Sequence, residues 1–332
     1  MTDTDLIDAA EAPPAGAPSG MAPDSIGDMT ERDRWFAQME ERCLEEGYFE
    51  PLGKRHWAWF HDDGPTLLVT FETIDSILAR PERLSAGFAV ASQKGWSHLC
   101  LIADGETWYR DSSVYRYFDR LVDDSFFEDF DRVVFYGAGT AGHAATAFCV
   151  TAPGSTVVAV SPRATLDPQV AGWDRRHLDG RRFDFTSRYG YAPDMTEGAG
   201  KVFLLFDPLH AEDAMHAALY RAPHVVFLKT RHLGARTEEV LNALVLLPRL
   251  LLAAGDDTLD AALFARLWRR RRRNGAYMDG LIAAADAKGQ TRRTWIMARE
   301  AALRIRAPRF RRLAARLNAI FAIDDPEDEA AG

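Results

Sequence analysis

The sequence predicts an α/β protein, a twisted and mostly parallel sheet followed by an all-helical C-terminal region. Short, almost continuously apolar runs at 66–72, 97–103, 132–137, 156–161, 201–206 and 224–228 alternate with longer stretches. Strands read this way when crossover helices bury both faces of a parallel sheet. From about residue 236 the pattern is helical only, at 237–254, 258–273, 276–288, 290–304 and 308–321. Its breaks are Gly255-Asp256-Asp257, Asn274-Gly275, Lys288-Gly289-Gln290 and Ala307-Pro308. The third of these runs opens Arg132-Val-Val-Phe-Tyr-Gly-Ala-Gly-Thr-Ala-Gly-His-Ala-Ala145, a strand, a glycine-dense turn and a helix.

Taken in order, residues 1–27 are rich in Ala, Pro, Gly and Asp and are expected to be disordered. Asp28 or Thr30 caps an acidic helix over 31–46, with Gly47 just past its end. Tyr48 to His61 is aromatic and reads as an edge strand or hairpin. The stretch between the runs at 66–72 and 97–103 has no strong periodicity. Trp108-Tyr109-Arg110-Asp111 forms a loop before a helix over 112–124, and small residues make the helix at 141–150. Residues 163–199 form a long irregular insertion, and a helix at 211–220 separates the last two strands. The expected organisation is a sheet domain over 28–235, helices over 236–322 and a disordered tail over 323–332.

Of 332 residues, 47% are apolar, enough for a sizeable core, and no apolar run reaches the roughly 18 residues of a membrane span. The N-terminus is acidic and lacks the apolar segment of a secretory signal, so a cytoplasmic location is expected. Cys43, Cys100 and Cys149 stand far apart, which argues against a disulfide framework or a zinc site. The net charge of −9 is uneven. Residues 261–316 carry 15 Arg and 1 Lys against three acidic residues, or +13, which leaves −22 elsewhere. A basic tail on an acidic body implies contact between the two, or with an acidic partner.

Two chemistries fit the glycine turn. Gly137, Gly139 and Gly142 spell G-x-G-x-x-G, the dinucleotide fingerprint, in which a helix N-terminus faces a pyrophosphate. That reading wants a carboxylate at the end of the next strand, where Ser161-Pro162-Arg163 stands instead. Ser161 and Arg163 would suit a 2′-phosphate, making the cofactor NADP. The turn also sits on the third core strand, whereas the fingerprint ordinarily opens its domain. The same turn has the strand–turn–helix grammar of a nucleophile elbow, with glycine where serine should stand.

On Tyr136-Gly-Ala-Gly-Thr-Ala-Gly-His-Ala-Ala145, the later Ser161-Pro162 and Trp108-Tyr109, the chain over about 60–250 resembles a branch of α/β-hydrolase-like proteins. Members of that branch run Tyr-Gly-Ser-Ser-Met-Gly-Gly-Tyr-Ala-Ala at the elbow. The resemblance implies α/β-hydrolase-like topology. It puts the nucleophile position on Gly139, the oxyanion amide on Thr140, the triad acid on Asp207 and the triad base on His232. Acyl transfer by that route needs an oxygen or sulfur nucleophile, and Gly139 has no side chain. The chain also resembles alphaproteobacterial proteins often named phosphoadenosine phosphosulfate reductases. That chemistry uses a Ser-Gly-Gly-x-Asp-Ser-type loop and a C-terminal cysteine, and this sequence has neither.

These residues predict an α/β-hydrolase-like protein without its serine nucleophile, non-catalytic or binding a small ligand or an acidic partner in the former active-site crevice. The alternatives are an NADP-dependent oxidoreductase using the turn and a scaffold acting through its basic helices. The first reading needs no cofactor and no metal. His143, Asp207 and His232 each also admit a purely structural role. Leu267-Trp-Arg-Arg-Arg-Arg-Arg-Asn274 is the densest basic run, and its cations suit a helix end. Aromatic interleaving is sparse there, so nucleic acid is not the expected partner. Arg175, Arg176, Arg181 and Arg182 in the insertion are candidates to reach an anionic ligand near the turn.

Overall fold

A computed structural model describes residues 30–43 and 47–321; the expected disordered ends lie outside the described residues. Helix α1 (Glu31–Arg42) precedes a hairpin of β1 (Gly47–Leu52) and β2 (His56–His61). Then come β3 (Thr66–Thr73), α2 (Ile74–Leu78), α3 (Ala86–Ala91), β4 (Ser97–Ala103), α4 (Ser112–Asp123) and β5 (Arg132–Ala138). The turn leads into α5 (Thr140–Phe148) and β6 (Thr156–Val160). The insertion holds only short helices, α6 (Pro168–Ala171) and α7 (Ala192–Met195), and 3-10 turns. It ends at β7 (Lys201–Phe206), which α8 (Ala211–Leu219) connects to β8 (Val225–Lys229). The remainder is α9 (Thr237–Ala243), α10 (Leu247–Gly255), α11 (Ala261–Trp268), α12 (Gly275–Asp286), α13 (Thr291–Arg304) and α14 (Pro308–Phe321).

The strands form one sheet in the order β1-β2-β4-β3-β5-β6-β7-β8, which is α/β-hydrolase-like topology. β1 and β2 are antiparallel to their neighbours, and all pairs from β4 and β3 to β8 are parallel. After β3 the chain moves to β4 on one side; after β5 it moves to β6 on the other. The C-terminal ends of β3 and β5 therefore flank a topological switch point, where a parallel sheet opens a crevice. The glycine turn stands there.

Alternation along the strands divides the core. Leu67, Val69 and Phe71 of β3 share a buried cluster with Phe118 of α4 and Phe148 of α5. The Phe118 and Phe148 rings stack at 4.2 Å. Ala144 and Ala145 are fully buried, so α5 can lie close against the sheet. Leu68, Val134 and Val158 face the other way, into a cluster with Leu250 and Leu251 of α10 and with Tyr277 and Phe310 of later helices. The C-terminal helices thus share a core with the sheet. A third cluster buries Trp35 and Met39 of α1 against Trp59, Ile74 and Ile77. Thr30 and Asp33 close a capping box that starts α1.

Several expectations are corrected. The helix expected over 237–254 is two, because Val245 takes φ +54° and Pro248 falls in the first turn of α10. Proline lacks an amide donor and disfavours helical geometry in the residue before it, so it starts a helix more readily than it continues one. The helix expected over 258–273 ends at Trp268, and Arg269–Arg273 tighten into a 3-10 turn. There Arg271 donates to the Trp268 carbonyl at 2.7 Å and lies over the Trp268 and Tyr277 rings. The stretch without periodicity before β4 contains α2 and α3. The expected ionic contact between basic helices and acidic body takes a different form among the described residues. Lys94, Arg132 and Lys201 of the sheet region reach Asp256 and Asp257 after α10. All three cysteines are buried free thiols.

Buried histidines make the fold acid-sensitive. His98 and His143 have no exposed surface, and burial pulls both imidazoles down to about 3. In the unfolded chain they titrate near 6.5. Folded-state pKa values below the unfolded ones mean that acid favours unfolding, so stability falls as pH drops through 6.5 toward 3. One such imidazole costs about 2 kcal/mol at pH 5. Urea melts across this range should show the midpoint falling on acidification, with a shallower slope in His143→Gln.

Candidate functional site

The turn is built by three glycines with different duties. A Cβ on Gly137 would sit on the Ala141 carbonyl, and one on Gly142 would approach Pro162 Cα at 3.1 Å. Those two positions let β5, α5 and the Ser161-Pro162 segment close on one another. Gly139 differs. It stands at the apex with φ +57° and ψ −114°, its N–H donates to the Val160 carbonyl at 2.9 Å, and α5 starts at Thr140. A Cβ there would meet nothing within 4 Å. The backbone therefore aims the Gly139 side-chain direction into open space, from a conformation that L-residues adopt only under strain. The Thr140 amide follows directly, in the first turn of α5, where backbone donors have no intrahelical acceptor.

Asp207 and His232 follow β7 and β8, on the same edge of the sheet as the turn. Their side chains are not hydrogen-bonded to each other among the described residues. The Asp207 carboxylate is buried and accepts three backbone amides, from Leu209 at 2.9 Å, Leu233 at 2.9 Å and Gly234 at 2.8 Å. It ties the loop after β8 to the end of β7. His232, at φ +72°, is half-buried, and its ring meets Tyr277 of α12 edge-on at 6.5 Å. Burial lowers its pKa, the Asp207 charge opposes that, and Arg231, Lys288 and Arg293 add to it. The imidazole is therefore neutral at pH 7.

Of the residues of the phosphate-cradle alternative, Arg163 is engaged through its side chain and Ser161 through its backbone. Ser161, at φ +45°, donates its N–H to the Leu205 carbonyl at 2.7 Å. The Arg163 guanidinium is buried and lies 3.2 Å from Asp213, with a bond to the Ser161 carbonyl at 2.6 Å. It belongs to a network that sequence reading missed. Arg176 bridges Asp174 at 2.6 Å and Asp213 at 2.7 Å. His216 donates from Nε2 to Asp174 at 3.0 Å and accepts the Ala164 amide on Nδ1 at 3.2 Å. Burial lowers the His216 pKa to about 4, and with both nitrogens occupied it is not available as a base. Asp213 stays below the usual carboxylate range because Arg176 and Arg163 outweigh its burial. Buried charges persist only when paired. This cluster pins the insertion to α8, and its only sequence trace is the Asp213, His216 spacing on one helix face.

The arginines of the insertion are mostly committed too. Arg176 is in the network, Arg181 donates to the carbonyls of Gly172 and Asp174, and Arg182 lies over Phe183. His143 is packed between Trp108 and Phe185, with Nδ1 bonded to the Arg163 carbonyl at 3.0 Å. A cavity of about 730 Å³ is lined by Arg132, Thr156 and Asp257 at the N-terminal ends of the strands, away from the turn.

No family model matches the chain, and no curated protein matches it. Sequence comparison therefore lends nothing to the reductase name. Similar solved structures include Est1E from Butyrivibrio proteoclasticus, 11% identical, covering 63% of this chain and 98% of that one at a TM-score of 0.41. Carboxyl esterase 2 from the fungus Tuber melanosporum is 11% identical over 61% of this chain and 81% of its own, at a TM-score of 0.38. A hyperthermophilic esterase from the archaeon Pyrobaculum calidifontis is 13% identical over 76% and 94%, at 0.37. At these TM-scores they add nothing to what the strand order itself establishes.

Two substitution sets check the geometry. Gly137→Ala should cost at least about 3 kcal/mol by overpacking. Gly139→Ala should cost only about 1–2 kcal/mol, the backbone penalty alone. Asp207→Ala should cost about 2–4 kcal/mol by leaving backbone donors unpaired, with Asp207→Asn intermediate. Urea denaturation at neutral pH measures all four.

Proposed function

We propose that this chain is an α/β-hydrolase-like protein that has lost serine chemistry and holds a ligand in the crevice over the glycine turn. The observation that carries the proposal is Gly139, at the apex of the turn with elbow-type dihedrals and an open side-chain direction. Nucleophilic acyl transfer would need an oxygen or sulfur at that point, with a base to take its proton. The environment of Asp207 supports the same reading. Its carboxylate holds the backbone of the loop bearing His232, whereas a catalytic triad acid orients the imidazole itself.

A serine-directed fluorophosphonate tests the loss of the nucleophile. Wild-type protein should remain unlabelled under conditions that label an active serine esterase completely. Labelling of the wild type that disappears in Thr140→Ala would overturn the proposal, because it would make Thr140 a substitute nucleophile.

A further inference from the structure

Beside His232 the C-terminal helices close a crevice of about 240 Å³ against the end of the sheet. Gly280 of α12 permits this approach, since a Cβ there would stand 3.1 Å from the His232 carbonyl. The crevice has two chemistries. Leu281, Ala284 and Ala285 of α12, with Met297 of α13 and Leu209 after β7, give it an apolar lining. Arg231, Lys288 and Arg293 form its polar wall, and no carboxylate lines it. No carboxylate among the described residues pairs with any of these three cations. Among the described residues Arg293 makes a single side-chain bond, to the neutral Gln290 amide at 3.2 Å. All three act on the His232 imidazole, which places their charges around one point. Gln290 leaves the first turn of α13 without a side-chain cap, so its backbone donors add positive potential at the same rim.

We propose that this crevice binds a small amphiphile with one anionic head, the head held by Arg231, Lys288 and Arg293 and a short apolar body laid along α12. Unpaired cations over a low-dielectric wall concentrate anions, and the apolar floor selects those that carry a tail. Carboxylate and phosphate heads share this chemistry. This crevice lies beside His232 and no residue of the glycine turn lines it, so the proposal goes beyond the ligand-binding reading above and does not depend on the state of the nucleophile. Fluorophosphonate labelling reports on Gly139 and Thr140, and equilibrium binding reports on this crevice.

Calorimetric titration of the full chain with octanoate, octyl phosphate, octanol and inorganic phosphate is the test. Saturable binding of octanoate or octyl phosphate is expected, and whichever binds tighter identifies the head group. Octanol and inorganic phosphate should each bind at least tenfold more weakly, a difference of about 1.4 kcal/mol. Lys288→Ala with Arg293→Ala should weaken the preferred amphiphile at least tenfold, and Ala284→Trp should block it by filling the floor. Lys288 and Arg293 are exposed, so the double variant should keep the wild-type melting temperature. The proposal is overturned if neither amphiphile binds below roughly 10 mM, if octanol binds as well as octanoate, or if the double variant binds like the wild type at unchanged stability.

Discussion

The contact between Gly137 and the Ala141 carbonyl is the constraint on which the central architecture depends. It allows the chain to leave β5 and enter α5 within two residues, so that α5 can run back beneath the sheet. A side chain at Gly137 would force the two apart, and one at Gly142 would press on Pro162. From this reversal follow the stacking of Phe148 on Phe118, the burial of Ala144 and Ala145, and the projection of Gly139 from the apex. Gly139 takes its positive φ without the penalty that a Cβ would bring, and a well-packed strand and helix stand on either side of it.

Around this turn the polar residues do more positioning than chemistry. Asp207 joins the ends of two strands through backbone amides. Arg163, Asp174, Arg176, Asp213 and His216 fasten a long insertion that also buries Leu166, Phe185 and Tyr189. Each satisfied pair removes a charge from the set available to a ligand. Arg163 illustrates this: in sequence it stood as a partner for a 2′-phosphate, and in the fold it is buried against carboxylates. Arg231, Lys288 and Arg293 are the contrasting case, cations that converge without a carboxylate to neutralise them.

The strands, their order of appearance and most helices of the C-terminal region were legible because their signals are local. Apolar runs mark buried strands, and Gly289, Asn274 and Pro308 mark helix ends at the places where breaks occur. The interruption within 237–254 was missed because its apolar pattern continues across the break, so periodicity outweighed the proline. Local signals also located the apex of the turn and the loops that carry Asp207 and His232. They could not tell what those side chains touch, since the Leu233 and Gly234 amides meet Asp207 only when β7 and β8 lie side by side.

By itself the sequence determined the α/β class, the glycine turn and the absence of a nucleophilic side chain at Gly139, because each depends on residue type at a given position. The tertiary structure decided which groups pair. It put the carboxylate of Asp207 on the backbone, buried His216 with both nitrogens occupied, and brought α12 and α13 over the end of β8. Those outcomes depend on residues far apart in the chain, and burial imposes a free-energy penalty on any of them left unpaired. Such a penalty has no expression in a one-dimensional pattern, which is why the crevice beside His232 could be found only in three dimensions.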